Sequence, residues 1–311
     1  MKIDLSDHGA PPPGPAALQQ TPQYARALAA MGARVQGITG RLHDGIAAQA
    51  LVVQRRMGPL TVNWLPRGPI WRADLSEQQR DTFLACMTEV MASGALWIGS
   101  ADNDHAGAEL SQHGFHTLIA PQFVAELDLS PCANDRLAAQ HGKWRNRLRH
   151  AEAAGLVVSE RKFDPTRDAA FLRREAQQRR KRRYRALPLG FAVAFGAQNR
   201  GAARIWSAHK AGELAAQMLI LQHGTTATYH IGWTGDLGRK TSAHNLLLWQ
   251  AQNWLAERGG IRLDLGPIDV SNAGGLARFK QGSGAALCAL GPTMIRFPRP
   301  ALFQKRHRRA A

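Results

Sequence analysis

The residues of this sequence that could do chemistry are a few acids, cations and aromatics at the ends of short apolar runs, and three dense groups of arginine and lysine. Asp264 stands inside the alternating run IRLDLG. A carboxylate there can accept a proton from an attacking amine, or it can tie down the turn at Gly266-Pro267; both readings stay open. Arg67, beside Gly68-Pro69 and near Trp64 and Trp71, carries a planar fork suited to a phosphate or carboxylate. It reads equally well as a surface arginine flanking a turn. Tyr229, His230 and Trp233 fall in one aromatic run, TYHIGW. Strand alternation puts Tyr229, Ile231 and Trp233 on one face and His230 on the other, and a buried core is the common place for such aromatics. The basic groups are Lys143 to Arg149, Arg173 to Arg185 and Arg296 to Arg309.

Other chemistries lack their residues. Twelve histidines are spread without ligand spacing, so no metal is expected. There is no Gly-x-Ser-x-Gly elbow and no Gly-x-x-x-x-Gly-Lys-Ser/Thr phosphate loop. Cys86, Cys132 and Cys288 form no Cys-x-x-Cys pair and read as reduced, buried small hydrophobes of a cytoplasmic protein. No apolar run approaches the roughly 18 residues that span a bilayer, and the first residues have no secretion-signal core. A net charge of +17 costs stability through self-repulsion. It points to a polyanionic partner such as RNA, a nucleotide or an anionic membrane surface, or else to a generally arginine-rich surface.

The elements that must position these residues alternate between helix and strand, an α/β (α+β) pattern. Residues 1–20, rich in proline, read as a flexible lead-in. LQQTPQYARALAAMGARV is a first helix, and Ser76 with Gln79 makes a capping box ahead of a helix that puts Phe83, Leu84, Met87, Val90 and Met91 on one face. LIAPQFVAELDLS reads as one strand and LCALGPTMIRF as a closing strand. RIWSAHK, GELAAQMLILQH and TTATYHIGWT form a three-stranded meander turning at Ala211-Gly212 and Gly224-Thr225. LGFAVAFGAQN is a helix, as is the apolar face Ala243, Leu246, Leu247, Ala251, Trp254 and Leu255, stopped by Gly259-Gly260. Ser271 or Asn272 caps a last short helix containing GLARFK, with Asp269 and Asn272 as further site candidates.

The order of these pieces resembles the FemABX-like branch of the GNAT acyltransferases. The resemblance rests on an aromatic strand ending in glycine (Tyr229 to Gly232), an LL-x-W helix (Leu247 to Trp249), Asp264 to Gly266, and Leu276 to Lys280 followed by Gly282 or Gly284. Earlier in the chain it rests on Arg67 to Pro69, Leu96 to Ile98, Gly114-Phe115 and Asp128 to Ser130. At the junction, Lys143, Arg145, Leu148, Arg149, Ala151 and Gly155 fill a basic pattern, with Leu148 where isoleucine is usual. The resemblance implies two GNAT-like domains, each a mixed central sheet flanked by helices: residues 21–150 and 151–295, followed by a basic tail over 296–311.

It also implies an acyltransferase forming an amide bond. Lys280 would be the cation that steadies the oxyanion formed as an acyl carbonyl is attacked, although a lysine at such a place is otherwise a solvated helix residue. Asp264 joins it as a catalytic candidate. Arg67, Trp64, Tyr229, Trp233, Tyr184 and Arg183 would bind substrate, and Lys143, Arg145, Arg149, Arg180, Arg306 and Arg308 would hold RNA. The best-known members take an aminoacyl group from charged tRNA and need no cofactor. The expected partners are therefore tRNA and an amine acceptor (a peptide, a peptidoglycan precursor or a small metabolite), with peripheral contact to an anionic membrane. GDLGRKTSA departs from the Gln/Arg-x-x-Gly-x-Gly/Ala loop that holds the acetyl-CoA pyrophosphate in ordinary GNAT enzymes, because no second glycine follows Arg239. An acyl-CoA-dependent N-acyltransferase of the same fold is the alternative, and a non-catalytic RNA- or membrane-binding relative a third.

Overall fold

The computed structural model describes residues 1–91, 94–182, 186–268 and 274–298. The chain forms two compact units, one from Met1–Gln122 with the residues from Ala289 onward, the other from Phe123–Cys288.

In the first unit, β1 (Lys2–Ser6), β2 (Arg34–Leu42), β3 (Gly45–Met57), β4 (Leu60–Pro66), β6 (Leu96–Ser100), β15 (Thr293–Arg296) and β7 (His116–Ile119) lie in that order, with β5 (Ile70–Trp71) paired to β3. The helices are α1 (Pro22–Ala30), α2 (Glu77–Val90) and α3 (Asp104–Gln112). Ile38, Ala48, Ala50 and Val52 of the sheet pack against Phe83, Leu84 and Met87 of α2. Ser76 and Gln79 bond each other's backbone N–H at 3.3 and 3.0 Å, the reciprocal cap that fixes the first turn of α2. Met91 is buried as expected, but Val90, where the helix ends, is 44% exposed. Residues 1–20 are not simply a lead-in: β1 pairs with β2 from Lys2↔Arg41 to Ser6↔Gly37.

The second unit has β14 (Ala286–Ala289), β8 (Phe123–Asp128), β13 (Arg262–Ile268), β12 (Thr226–Thr234), β11 (Glu213–His223), β10 (Ala203–Lys210) and β9 (Val157–Lys162), again in spatial order. Its helices are α4 (Ala133–Ala139), α5 (Gly142–Ala153), α6 (Ala169–Arg182), α7 (Leu189–Gln198), α8 (Asp236–Lys240), α9 (Ala243–Ala256) and α10 (Gly275–Gly282). The expected meander is β10–β12, and its first turn places Ala211 and Gly212 at φ of 49° and 81°. Successive residues of β11 face opposite ways. Ala216, Met218 and Ile220 share a core with Trp144 and Leu148 of α5 and Leu247 and Ala251 of α9. Gln217 instead accepts a hydrogen bond from Arg174 of α6 at 3.2 Å. Helices α5 and α9 therefore cover one face and α6 the other.

Two stretches read as single strands are each broken by a proline, which has no N–H for a ladder. LIAPQFVAELDLS becomes β7 and β8 around Pro121, and LCALGPTMIRF becomes β14 and β15 around Gly291-Pro292. Each break is also where the chain changes unit. The division thus falls at Phe123, whereas residue 150 lies inside α5, and β15 returns to complete the first sheet. Cys132 is exposed, with Sγ 3.1 Å from Asp135, while Cys86 and Cys288 are half-buried. Among the described residues no helix is long and apolar enough to cross a membrane.

Candidate active site

Strands β12 and β13 run parallel but pair only from Thr226↔Arg262 to Thr228↔Asp264, although both continue. Asp264 and Tyr229 therefore stand where the pairing stops. Asp264 is 5% exposed, and its Oδ1 accepts the Gly266 N–H at 2.6 Å. The expected turn at Gly266-Pro267 is absent, since both residues lie within β13. Asp264 instead fixes the irregularity in its pairing with β8, where Gly266 takes a φ of +81°, a conformation that favours glycine.

Lys280, on α10, is also 5% exposed and donates from Nζ to the Pro267 carbonyl at 2.9 Å. Burial pushes its pKa down to about 8, while the charge of Asp264 works the other way. An ammonium has three protons to donate, and among the described residues one of them is used, by Pro267 O. The solvated-helix alternative for Lys280 does not hold. α10 is anchored by Trp144 of α5, whose indole N–H donates to Phe279 O at 3.0 Å with the rings 6.0 Å apart. The N-cap of α10 is Gly274; Asp269, Ser271 and Asn272 lie outside the described residues.

The aromatic strand departs from simple alternation. Between β11 and β12 the register slips, so that Leu219 faces Ile231 while Ile220 faces Tyr229, and His230 is the extra residue. The bulge turns Tyr229 toward α9, where its hydroxyl lies 3.0 Å from His244 Nε2. Thr234 Oγ1 lies 3.0 Å from the other ring nitrogen, Nδ1. Trp233 instead lies under the Arg174 guanidinium of α6, 4.9 Å from the ring centroid. Tyr229 and Trp233 thus do not share a face. His230 packs against Phe191 of α7 at 5.7 Å.

Burial lowers the pKa of both His230 and His244 to about 4, so both rings are neutral at pH 7. A neutral imidazole has one donor and one acceptor nitrogen, which the Tyr229 and Thr234 hydroxyls satisfy at His244. The His244 ring also meets Phe279 edge-on at 5.5 Å, which places the Tyr229–His244 pair beside the residue preceding Lys280. The pair depends on Gly232, where a Cβ would sit 1.8 Å from the Tyr229 oxygen and 2.9 Å from His244 Nε2.

In the first unit, Arg67 is 7% exposed, with a φ of 51°. Its Nε donates to Asp102 at 2.7 Å and its backbone N–H to Ser100 Oγ at 2.9 Å, so it is a buried ion pair and not a surface arginine. Trp64 is half-buried on β4.

The basic groups divide into occupied and exposed residues. Arg145 is half-buried and donates from Nη1 to Ala138 O at 3.0 Å and to Gln140 O, closing the end of α4. Arg174 and Arg179 are likewise engaged, with Gln217 and Trp233, and with Glu175. Lys143, Arg147 and Arg149 of α5 and Arg173, Arg180 and Lys181 of α6 are exposed, on opposite faces of the sheet. Arg183, Tyr184, Arg306 and Arg308 lie outside the described residues.

Reading the sequence missed His244, and found Gly232 only as the end of the aromatic strand and not as the residue that leaves room for the Tyr229 hydroxyl. His244 is one of twelve histidines, and its partners Tyr229 and Thr234 stand 15 and 10 residues away on another element. The segment compared with a pyrophosphate loop is wound as α8, with Thr241 Oγ1 donating to Leu237 O at 2.8 Å.

Residues 138–281 match the model of the acetyltransferase (GNAT) domain family. No curated protein matches the chain in sequence. Among solved structures, FemX superposes with a TM-score of 0.77 at 13% identity, covering 92% of this chain and 93% of that one. The C-terminal domain of a putative lysylphosphatidylglycerol synthetase from Agrobacterium fabrum gives 0.54 at 14% identity over 91% and 90%. A tandem GNAT protein from the clavulanic acid biosynthesis pathway gives 0.55 at 11% identity over 93% and 91%. At these identities the likeness is one of fold: two GNAT-like domains, each a mixed sheet with helices, the second matching an acyltransferase family.

Proposed function

We propose that this GNAT-type acyltransferase passes an aminoacyl group from aminoacyl-tRNA to an amine, forming an amide. The observation that carries the reading is Lys280, a buried ammonium beside the point where β12 and β13 cease to pair, with one proton committed to Pro267 O. In the reaction the acceptor nitrogen attacks the ester carbonyl and the carbonyl oxygen becomes an oxyanion. The C–O bond to the ribose then breaks, the ribose oxygen leaves with a proton, and the amine releases one to solvent, from which the proton-donating side chain is restored. The remaining protons of Lys280 steady the oxyanion. Loss of such a donor costs roughly 3–4 kcal/mol of barrier, or about 10²–10³ in rate. The Tyr229 hydroxyl, held by His244, is the proton donor for the departing oxygen.

An RNA donor is favoured over acyl-CoA by the exposed cations of α5 and by the winding of residues 236–240 into α8 in place of an open glycine loop. FemX and the lysylphosphatidylglycerol synthetase domain share the fold. Acyl-CoA remains the second reading, because the matched family is named for acetyl transfer. To separate the two, the protein is incubated with bulk tRNA charged with labelled amino acids and an extract of peptides and metabolites, with labelled acyl-CoA in a parallel reaction. RNase-sensitive label in a stable amide, reduced at least a hundredfold by Lys280→Ala, is the expected result. Label arriving from acyl-CoA alone transfers the role to the second reading.

A further inference from the structure

The first unit carries a surface that acyl transfer leaves without a task. A groove of about 950 Å³ lies at the ends of β1–β4 and beside the C-terminal ends of α1 and α2. Leu5, Met31 and Val90 line it and are 52, 41 and 44% exposed. Arg34, Arg55 and Arg56 line it too, all exposed, and among the described residues no acidic one does. The hairpin joining β3 to β4 adds Met57-Gly58-Pro59-Leu60, with Met57 65% and Leu60 37% exposed directly after the paired Arg55 and Arg56.

Single exposed aliphatic side chains are ordinary, but three of them lining one groove with three arginines, and two more at the tip of the hairpin that carries Arg55 and Arg56, mark an interaction surface. RNA bases stack on aromatic rings, and none of these side chains is aromatic. Aliphatic tips behind long cationic stems suit the boundary between lipid headgroups and acyl chains, where the stems lie along apolar surface and the guanidiniums reach phosphates.

We propose that this face rests on an anionic lipid bilayer, with the Met57–Leu60 tip and Leu5, Met31 and Val90 entering the headgroup boundary and Arg34, Arg55 and Arg56 pairing with lipid phosphates. The net charge of +17 draws the whole chain toward any polyanion, so the test must locate the contact and not merely detect it.

The full chain is sedimented with vesicles of phosphatidylcholine, or of phosphatidylcholine with phosphatidylglycerol, at 0.15 M salt. The wild type is expected to bind the anionic vesicles. Met57→Ser with Leu60→Ser keeps the charge unchanged and, at solvent-exposed positions, spares the fold; it weakens binding roughly tenfold through lost apolar burial. Arg34→Ser, Arg55→Ser and Arg56→Ser together weaken it about a hundredfold, near fivefold for each arginine. Removing three equivalent charges from α6 (Arg173→Ser, Arg180→Ser and Lys181→Ser) changes it less than threefold. The proposal is overturned if the wild type binds no vesicles, or if the Met57/Leu60 variant binds like the wild type. It also falls if both charge-removal variants lose binding equally, or if the groove arginines prove to matter for tRNA and not for vesicles. These readouts are independent of the transfer reaction.

Discussion

A lysine kept nine-tenths out of water is an unfavourable choice for stability, and the clearest consequences of this site follow from it. Because folding lowers the pKa of Lys280 to about 8, the folded protein releases that proton between pH 8 and the usual lysine range, while the unfolded chain still holds it. Stability gained from this group therefore rises with pH across that window, by up to about 1.4 kcal/mol per unit. Lys280→Met removes the titration. Whatever the lost bond to Pro267 costs is independent of pH, so the stability of the variant relative to the wild type falls as pH rises from 8 to 10. Urea unfolding of both proteins at pH 7, 8, 9 and 10 checks this, and parallel curves refute it. Transfer that relies on the ammonium declines above about pH 8. Asp264→Asn keeps an oxygen for the Gly266 N–H but removes the negative charge that holds the Lys280 proton in place. The alkaline limb of the pH–rate profile then moves to lower pH, while an Asp264 that only holds the Gly266 N–H would leave the limb where it is.

At the scale of elements, the decisive feature is the bulge at His230, and sequence patterning is blind to it. The meander was legible from its turns at Ala211-Gly212 and Gly224-Thr225, while β11 between them is a continuous buried run with no period-two alternation to fix which way each residue faces. One inserted residue then reversed the face of Tyr229 relative to Trp233. The capping box of α2 and the turn at Ala211-Gly212 were legible because both depend on residues within four positions of each other. The two strand breaks were written in the sequence as Pro121 and Pro292, yet where each half pairs depends on partners far along the chain. The Lys280 and Asp264 positions could be named from their motifs, but the Tyr229–His244 pair could not, since it joins strand to helix. Gly232 is the test of that pair. Gly232→Ala drives a methyl into the Tyr229 hydroxyl, forces the ring off His244, and costs about 1–3 kcal/mol. The cost shrinks when Tyr229→Leu is already present, since the clashing oxygen is gone. Equal costs in the two backgrounds, read by thermal or urea unfolding, would show that the methyl is resisted by something else.

For the whole molecule, the excess positive charge has to be divided by face before it can be assigned to RNA. Arg145, Arg174 and Arg179 are occupied within the second unit, and the exposed cations of α5 and α6 lie on opposite sides of its sheet. One phosphate backbone passing across one face meets only one set. Helix α5 holds α10 through Trp144 and Phe279, and so shares the side on which Lys280 is anchored. A tRNA whose acceptor end reaches Lys280 is therefore expected to run along Lys143, Arg147 and Arg149. Replacing these three with glutamine lowers tRNA affinity and flattens the dependence of log K on log salt by roughly 2 to 3, since each neutralised phosphate contributes about 0.7 to 0.9. The same replacement at Arg173, Arg180 and Lys181 leaves the slope within about 0.5 of the wild type. Filter binding of bulk tRNA between 50 and 300 mM salt measures both. If the α6 set carries the slope, the acceptor end approaches from the other face, and Lys280 cannot be the group that meets its ester.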